Sequence, residues 1–425
     1  MKLTKILLLV LLLALVVVPA VVPVSMVNAA IQMLIAALFA CAFNLLCGQG
    51  GMLSFGHAAY FGVGSFATLH AMNALNGHGL LPTPLLPLIG ALGGFICGVC
   101  AGWFATKRAG VYFSMITLAL AELLHSLAPH LSALFGGEAG ISSMRSPAWG
   151  LDFGDATQVY YLTLVWVVMS IALLYAFTLT PMGRLTFALR ENGHRLQFLG
   201  YNVHRLRVLV FALSAMFSGI AGGLQALNLE SANYVLFDMH YSAEVVLNTY
   251  IGGVNVFLGP VLGAALMTFF GNAASDLTQS WLLYQGLLFV LVMMFMPSGL
   301  AGLVLAWSAQ IRRNGWLAVI PAAVTALLTA ALVSLAVVFA IETLQRVFSQ
   351  DYQALLIAGQ PWPAISLFGR DWLPGSPLTW AMPLLLGLAG LLMLKLARRQ
   401  WLRLLDDERG SKPAALTLQA EGDAP

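Results

Sequence analysis

The chain has 425 residues, of which 60% are hydrophobic and only 9% are charged, and its formal net charge is +3. A soluble domain carries about 25% charged residues, so this composition excludes a soluble globular protein and leaves no domain that would bind nucleic acid. The apolar runs are long enough for helices that cross a hydrocarbon core, and the period-2 alternation of barrel strands is absent. We therefore predict an all-α fold, a polytopic inner-membrane helical bundle in a lipid bilayer.

The apolar runs predict about ten membrane spans. They lie at 6–24, 29–46, 57–75, 85–106, 111–131, 158–179, 208–228, 281–304, 316–340 and 378–396. If the N-terminus lies inside and crossings alternate, only Arg145, Arg346 and Arg370 of the 20 Lys and Arg fall outside. This is the charge bias expected of a correct topology. It requires the interval between spans 208–228 and 281–304 to cross an even number of times.

The first thirty residues resemble a signal peptide, with a basic start, an apolar core and a Val-Asn-Ala ending. The apolar core is longer than the 7–15 residues usual in signals. We therefore expect residues 1–28 to form a retained transmembrane helix.

The Gly-rich stretch CGQGGMLSFGHAAYFGVGSF, from Cys47 to Phe66, joins the second and third predicted spans. Its glycines, together with Gln49, Ser54 and His57, indicate irregular backbone close to the membrane. These three polar residues are candidates for the transport pathway.

Two patterns inside the spans are interpreted as packing. Glycines recur every four residues in the 85–106 span, at Gly90, Gly94, Gly98 and Gly102. The 208–228 span has the same spacing at Gly219 and Gly223. Such faces allow close helix contact. Cys97 and Cys100 form a C-x-x-C motif, but with no polar neighbour to stabilise a thiolate we favour packing over redox or metal chemistry.

Glu122 lies near the middle of the 111–131 span, with His125 one turn further on. An ionised acid at that depth should face protein or water. The pair is either a proton relay or, more often in proteins, a hydrogen-bonded structural contact. Glu244 and Asp276 flank the next irregular segment and are expected in the outer headgroup region.

A basic interval from Thr180 to Arg207 interrupts the apolar chain. It holds five arginines against one acid, Glu191: Arg184, Arg190, Arg195, Arg205 and Arg207. A bilayer-facing segment would not hold them, so the interval lies in water, on the cytoplasmic side by the positive-inside rule.

Within this interval leucines recur at helical spacing: Leu185, Leu189, Leu196 and Leu199. Asn192-Gly193 is a turn signal and Gly200 suits a left-handed cap. We predict two short surface helices, the second over about 194–199. From these residues alone, a helix that docks into a cytoplasmic partner and a plain basic connecting loop fit equally well.

The segment around 244–274 contains Gly252-Gly253 and Gly259-Pro260, which break a continuous helix. Two half-helices that dip in and return satisfy the charge pattern, and so do two kinked full spans. Broken helices line cavities or are buried in protein, so these four residues are pathway candidates.

No catalytic motif is present. None of the lysines follows a glycine, so there is no G-x-x-x-x-G-K-[ST] phosphate loop, and neither H-E-x-x-H nor a metal-binding spacing occurs. We expect a chain that is not an enzyme and holds no cofactor or metal of its own.

Seven stretches between about residues 29 and 303 occur in the order found in one family. They are CGQGGMLSFGHAAYFGVGSF, AGVYFSMITLALAELL, FGGEAGIS, the PMGR...ALREN...LGYNV interval, LSAMFSGIAGGL, YIGGVNVFLGPVLGAAL and MPSGLAGL. The chain thus resembles the permeases of bacterial ATP-binding-cassette (ABC) importers for branched-chain amino acids, in particular the longer, LivM-type subunit.

The resemblance implies a permease core at 29–305, with 181–207 as the region that couples to a cytoplasmic ATPase. The implied coupling residues are Arg190, Glu191, Asn192, Arg195, Leu196, Leu199 and Gly200. It further implies a bacterial inner-membrane location, a homologous LivH-type second permease, two ATPase subunits that carry ATP and Mg, and a periplasmic substrate-binding protein. Residues 306–400 would be an extension with two further spans and an outer loop, and 401–425 a polar cytoplasmic tail.

Three departures from the family pattern bear on the substrate. His194-Arg195-Leu196-Gln197 replaces a small, Ala-rich stretch, Val254-Asn255-Val256 replaces Gly-Ser/Thr, and the two C-terminal spans lie outside the core. We expect a branched-chain amino acid, with urea, short amides or aromatic acids as alternatives. A secondary transporter or channel driven by an ion gradient, with Glu122 as proton carrier, is the alternative from another class.

Overall fold

The computed structural model describes residues 2–75, 81–275, 278–296, 298–357 and 362–410. In these residues nearly all secondary structure is helical. The helices are α1 Lys2–Val21, α2 Val24–Asn44, α3 Ala58–Leu75, α4 Pro87–Ala105, α5 Val111–Leu127, α6 Ser132–Phe135, α7 Ala156–Leu179, α8 Pro181–Phe198, α9 Val203–Leu229, α10 Met239–Gly252, α11 Gly259–Ser275, α12 Trp281–Phe295, α13 Gly299–Asn314, α14 Trp316–Val347, α15 Gln350–Ile357 and α16 Pro377–Gly410. The predicted all-helical membrane fold is confirmed.

Length and composition qualify seven helices of the described residues as membrane spans, and the bent pair α12–α13 makes an eighth. The predicted span at 281–304 corresponds to this pair, but it is not one straight helix, because α12 and α13 are bent by 50° at a short break. The helix α3 occupies the predicted span 57–75 but is not among the seven. Two polar side chains of α3 contact the backbone of other segments. His70 Nε2 lies 2.7 Å from the Leu134 carbonyl oxygen, and Asn73 Nδ2 donates to the Ser142 carbonyl oxygen at 3.4 Å.

The chain divides into two compact units, Met1–Leu303 and Val304–Pro425. The predicted boundary lay at 305/306.

The glycine faces predicted for packing are in contact. Gly90 and Gly94 of α4 lie against Gly219 of α9, and Gly98 lies against Ala215, so that a Cβ on any of these glycines would overlap the other helix. Small residues let the two backbones approach within contact distance. This confirms that the glycines serve helix packing. Cys97 and Cys100 on the same helix are free thiols.

The chain between α2 and α3 is irregular but hydrogen-bonded. Here α2 continues into a π-helical turn at Leu45–Gln49. In the segment that follows, Ser114 Oγ donates to the Leu53 carbonyl at 2.5 Å and Phe55 N–H donates to Thr117 Oγ1 at 3.3 Å. Ala58 N–H donates to Ser242 Oγ at 3.0 Å. Hydroxyls of other helices thus satisfy a non-helical backbone at membrane depth, as lipid surroundings require.

The helix α8 consists of two segments, as predicted. Asn192 has non-helical φ −158° and ψ 95°, and its Oδ1 accepts a hydrogen bond from Arg195 N–H at 3.1 Å. At the other end Gly200 is left-handed with φ +85°, and Tyr201 N–H donates to the Leu196 carbonyl at 3.0 Å. Together with the Gly200 N–H bond to Gln197, this is the Schellman arrangement that ends a helix at a glycine.

The predicted apolar face of α8 is only partly correct. Leu189 and Leu196 are buried with Val203 and Leu206, and Leu185 packs against them. In contrast, Leu199 is 67% exposed. It follows the last helical turn as the C-cap, where the chain reverses direction and turns the side chain outward.

The basic segments lie together at one end of the bundle. Thr106 Oγ1 lies 3.2 Å from His204 Nδ1, which brings the Lys107-Arg108 turn beside the start of α9. From there α9 runs 27 residues, about 40 Å, to the opposite end. There β1 (Ile141–Ser142) pairs with β2 (Ser231–Ala232), and Arg145 Nε lies 3.0 Å from Glu230 Oε1.

The helices α10 and α11 form an antiparallel hairpin. Gly252 lies against Gly259, and Gly263 against the carbonyl oxygen of Asn248. The two helices have 14 and 17 residues, or about 21 and 26 Å. The two helices are joined by the loop 253–258, and α11 ends at the edge of the described residues.

The second unit consists of two long helices, α14 and α16, and a connecting segment with a short helix and a β-hairpin. Thr325 Oγ1 of α14 donates to Gln400 Oε1 of α16 at 2.8 Å, and Gly390 lies against Val333. The predicted outer loop at 341–377 contains α15 and a hairpin of β3 (Ile365–Leu367) and β4 (Arg370–Trp372). Residues 401–410 of the predicted tail are helical, and 411–425 lie outside the described residues.

Candidate functional site

Arg190 lies at the end of the first segment of α8, and although the residue is exposed its guanidinium contacts two other segments of the chain. Its Nη1 donates to the Gly48 carbonyl oxygen, and its Nη2 donates to Asn255 Oδ1 at 3.0 Å. Gly51 lies against the same residue with φ +67°, where a Cβ would come within 2.9 Å of Arg190 Cγ. One guanidinium therefore joins α8 to the π-helical turn after α2 and to the loop of the α10–α11 hairpin.

Three breaks in helical backbone meet next to Arg190. A Cβ on Gly48 would lie 2.7 Å from the Val254 carbonyl oxygen, so the π-helical turn contacts the hairpin loop. Gly253, with φ +112°, lies against Ser298, where a Cβ would come within 2.5 Å of the carbonyl oxygen. We call Gly48, Gly252, Gly253, Ser298 and Gly299 the glycine junction. Side chains larger than hydrogen would force these backbones apart.

The remaining residues predicted for the broken segment belong to the same contact. Gly259 opens α11 against the Gly253 carbonyl, and Pro260 follows it in the first turn, where a missing N–H costs no helical hydrogen bond. The structure thus brings Gly252, Gly253, Gly259 and Pro260 together at the hairpin turn.

His57 is fully buried and serves as a link between helices. Ser214 Oγ donates to the Ala42 carbonyl at 2.6 Å, so its single proton is committed, and His57 Nε2, 2.9 Å away, must donate to the hydroxyl. The ring also packs edge-on against Phe43 and Tyr60 at 5.4 and 5.5 Å. This environment fixes a neutral imidazole in the core.

The other predicted polar residues lie apart from one another. Gln49 is 5% exposed, and its Oε1 has no partner within the described ranges. Ser54 is buried and accepts a hydrogen bond from Gly56 N–H at 3.4 Å. Glu122 and His125 are half-buried, and no hydrogen bond or ion pair joins them in the part of the chain that the structure describes. The His125 ring instead faces Tyr234 at 5.5 Å.

The outer surface of α8 combines charge with exposed apolar side chains. Glu191, His194 and Arg195 are exposed. Beside them Phe198 is 92% exposed and Leu199 is 67% exposed. A phenylalanine that extends fully from a rigid, capped helix end is typical of an anchor for a protein partner.

A cavity of about 240 Å³ lies between α2, α3, α9, α10 and α11, toward the opposite end from Arg190. Its polar lining comes from Gln32, Gln225, Tyr241, Glu244, Asn248 and Thr268, and its apolar lining from Ile35, Ala36, Phe39, Phe61 and Val245. Asn248 is 2% exposed, and its Oδ1 has no partner among the described residues.

Sequence reasoning missed this cavity. It expected Glu244 in the headgroup region, whereas the structure has it lining the interior, and Asp276 lies outside the described residues. A signal was available, because Tyr241, Glu244 and Asn248 recur at intervals of three and four and so share one face of α10.

A family model described as "branched-chain amino acid transport system / permease component" matches residues 25–297. The chain is 27% identical to the high-affinity branched-chain amino acid transport system permease protein LivM of Salmonella typhimurium over 299 residues, 64% of this chain and 69% of the relative. It is 25% identical to LivH of the same organism over 295 residues, covering 63% and 91%. No solved structure matches.

A sugar permease is also similar. The ribose import permease protein RbsC of Haemophilus influenzae is 27% identical over 208 residues, 47% of this chain and 62% of the relative. The match to the family model covers most of the first unit, including α8, the glycine junction up to Gly253, and the cavity. The chain is therefore a multi-pass membrane protein, and it belongs to the family of branched-chain amino acid transport system permease components.

Proposed function

We propose that this chain is the LivM-type permease subunit of an ABC importer for branched-chain amino acids in a bacterial inner membrane. Two cytoplasmic ATPase subunits would move it through α8, a LivH-type permease would complete the translocation unit, and a periplasmic protein would deliver the substrate. ATP and Mg would bind to the ATPases alone.

The observation that carries the proposal is the position of Arg190. Its hydrogen bonds tie α8 to Gly48 and Asn255, in two separate breaks of the membrane helices. Charge-assisted hydrogen bonds are about twice as strong as neutral ones. A displacement of α8 would therefore be transmitted to the glycine junction, where the helices are already interrupted.

The exposed face of α8 fits the docking half of this mechanism. Phe198 and Leu199 offer an apolar anchor, and Glu191, His194 and Arg195 offer charged groups around it. Interfaces commonly have such an apolar centre and polar rim. Within the coupling region, Arg190 would thus act inside the permease and the later residues would contact the ATPase.

The relatives and the lining of the interior cavity support a branched-chain amino acid as the substrate. LivM and LivH are named for branched-chain amino acids, whereas RbsC is named for ribose. Apolar side chains such as Ile35, Phe39 and Phe61 line the interior cavity. They suit a branched hydrocarbon side chain better than a sugar with a hydroxyl on nearly every carbon.

The test is ATP-driven leucine uptake into proteoliposomes that contain the assembled importer. Arg190→Ala should leave ATPase binding intact but reduce uptake per ATP hydrolysed at least tenfold, because the link from α8 to the junction is removed. Arg184→Ala is the matched control, since it removes an exposed arginine from the same helix. Equal uptake per ATP in both variants would contradict the coupling role.

The ion-driven alternative is tested with the chain alone. Membership of an importer permease family favours the ABC mechanism. A reconstituted chain without ATPases should therefore transport no leucine down a proton gradient, and Glu122→Gln should not change uptake by the assembled importer. Transport by the chain alone would overturn the proposal.

A further inference from the structure

The interior cavity has no role in the coupling mechanism above. It lies one to two turns of α10 away from the glycine junction, since Glu244 and Asn248 line it and the same helix ends at Gly252. A polar cavity inside a membrane bundle calls for an explanation, since ionisable residues there are costly and mark ligand sites or ion paths.

The central charged group is the carboxylate of Glu244. No lysine or arginine within the described ranges forms an ion pair with it. Asn248, one turn further along α10, lines the same cavity, and His240 lies one turn before Glu244. His240 is exposed, so it does not fill the cavity. Glu244 is half-buried, and a carboxylate in such a cavity without a lysine or arginine beside it is suited to receive a cation.

Hydrogen-bonding groups surround the carboxylate. Asn248 Oδ1 and Thr268 Oγ1 are buried atoms without partners in the described part of the chain, and Gln32 and Gln225 line the same space. Buried polar atoms are normally paired. These groups therefore point to a ligand that carries both donors and acceptors.

The opposite wall is apolar. Ile35, Phe39, Phe61 and Val245 are each less than 7% exposed and line the cavity together. The volume of about 240 Å³ is below the range of about 300–1,000 Å³ typical of sites for drug-sized ligands. The cavity thus combines an anionic end, polar sides and a small apolar pocket.

We propose that this cavity binds one small α-amino acid with an apolar side chain, within this subunit and without help from a partner chain. Glu244 receives the ammonium group, Asn248 and Thr268 bind polar atoms around the α-carbon, and Phe39 and Phe61 contact the side chain. The inference deepens the proposed function and rests on it. It makes the permease itself a second point of selection, after delivery of the substrate.

The cavity also has a direct connection to the coupling region. The carbonyl oxygen of Asn248 lies against Gly263 within the hairpin, and α10 ends at Gly253 in the glycine junction. Movement of that junction shifts the helix that carries Glu244. The same displacement that α8 transmits would therefore change the shape of the ligand cavity.

The test is equilibrium binding of radiolabelled leucine to the purified full chain in nanodiscs, without ATPases or binding protein. Leucine should bind saturably. Isoamylamine, which keeps the ammonium group and the side chain, should displace it. Neither 4-methylpentanoate, which lacks the ammonium group, nor ribose should do so. Displacement by ribose, or no saturable binding, would overturn the proposal.

Two variants locate the site. Glu244→Gln should raise the Kd for leucine at least tenfold, while Glu138→Gln, which changes an exposed acid, should leave it unchanged. Ala36→Leu places extra volume in the cavity and should shift the preference from leucine to alanine, a change that misfolding would not produce. If both variants keep the same affinity for leucine and the same preference for leucine over alanine, the cavity is not the binding site.

The outcome can be separated from the test of the importer. If the chain binds no leucine but the assembled importer takes up leucine with ATP, the cavity site is wrong and the importer proposal stands. If leucine binds as described but uptake does not depend on ATP, the importer proposal fails and the site stands.

Discussion

Gly253→Ala tests whether the glycine junction needs its missing side chains. Gly253 has φ +112° and ψ 103°, a conformation that other residues rarely adopt, which costs roughly 1–3 kcal/mol for alanine. The new Cβ would also come within 2.5 Å of the Ser298 carbonyl oxygen. Overpacking of this kind costs about 1–3 kcal/mol. The sum is a destabilisation of roughly 2–6 kcal/mol.

The assay is reversible unfolding by SDS in mixed micelles, with Gly286→Ala as the matched control. Gly286 lies within α12 and has nothing within 4 Å of its added Cβ, so alanine there should stabilise the helix by about 0.5–1 kcal/mol. The two substitutions add the same methyl group and should act in opposite directions. If their unfolding free energies agree within about 0.5 kcal/mol, the contact between the breaks is not tight and the reasoning is refuted.

Three further predictions concern the surface and the caps. Gly200→Ala should lower the free energy of unfolding by about 1–2 kcal/mol, because alanine is disfavoured in the left-handed cap; an unchanged melting temperature would argue against this cap. Phe198→Ser should reduce the amount of ATPase that co-purifies with the chain but leave its melting temperature unaltered, since the ring is 92% exposed. Glu230→Gln should destabilise the chain by about 1 kcal/mol through the loss of its bond to Arg145, and an additional loss on Arg145→Ala in the same background would show that the two act independently.

Local features of the fold could be predicted from the sequence because they depend on neighbouring residues. The break at Asn192, the left-handed cap at Gly200 and the smooth face of Gly90 and Gly94 each follow from residue type and spacing alone. Their physical causes, side-chain capping, positive φ and small volume, act within a few residues or along one helix.

Features that depend on distant contacts could not be predicted in this way. The hydrogen bonds of Arg190 require Gly48 and Asn255, which lie 142 and 65 residues away in the chain. The cavity around Glu244 requires five helices to converge. The bend between α12 and α13 is different, because Pro297 and Gly299 in the sequence already indicate a break there.

The contact between α1 and α7 has a consequence for biosynthesis. Pro19 has no N–H, so the Leu15 carbonyl four residues earlier loses its helical donor. Tyr160 supplies one instead, since its hydroxyl donates to that carbonyl at 2.7 Å. The donor exists only after the ribosome has added 145 more residues. The hydrogen bond that replaces the missing helical donor of α1 can therefore form only after α7 has been synthesised.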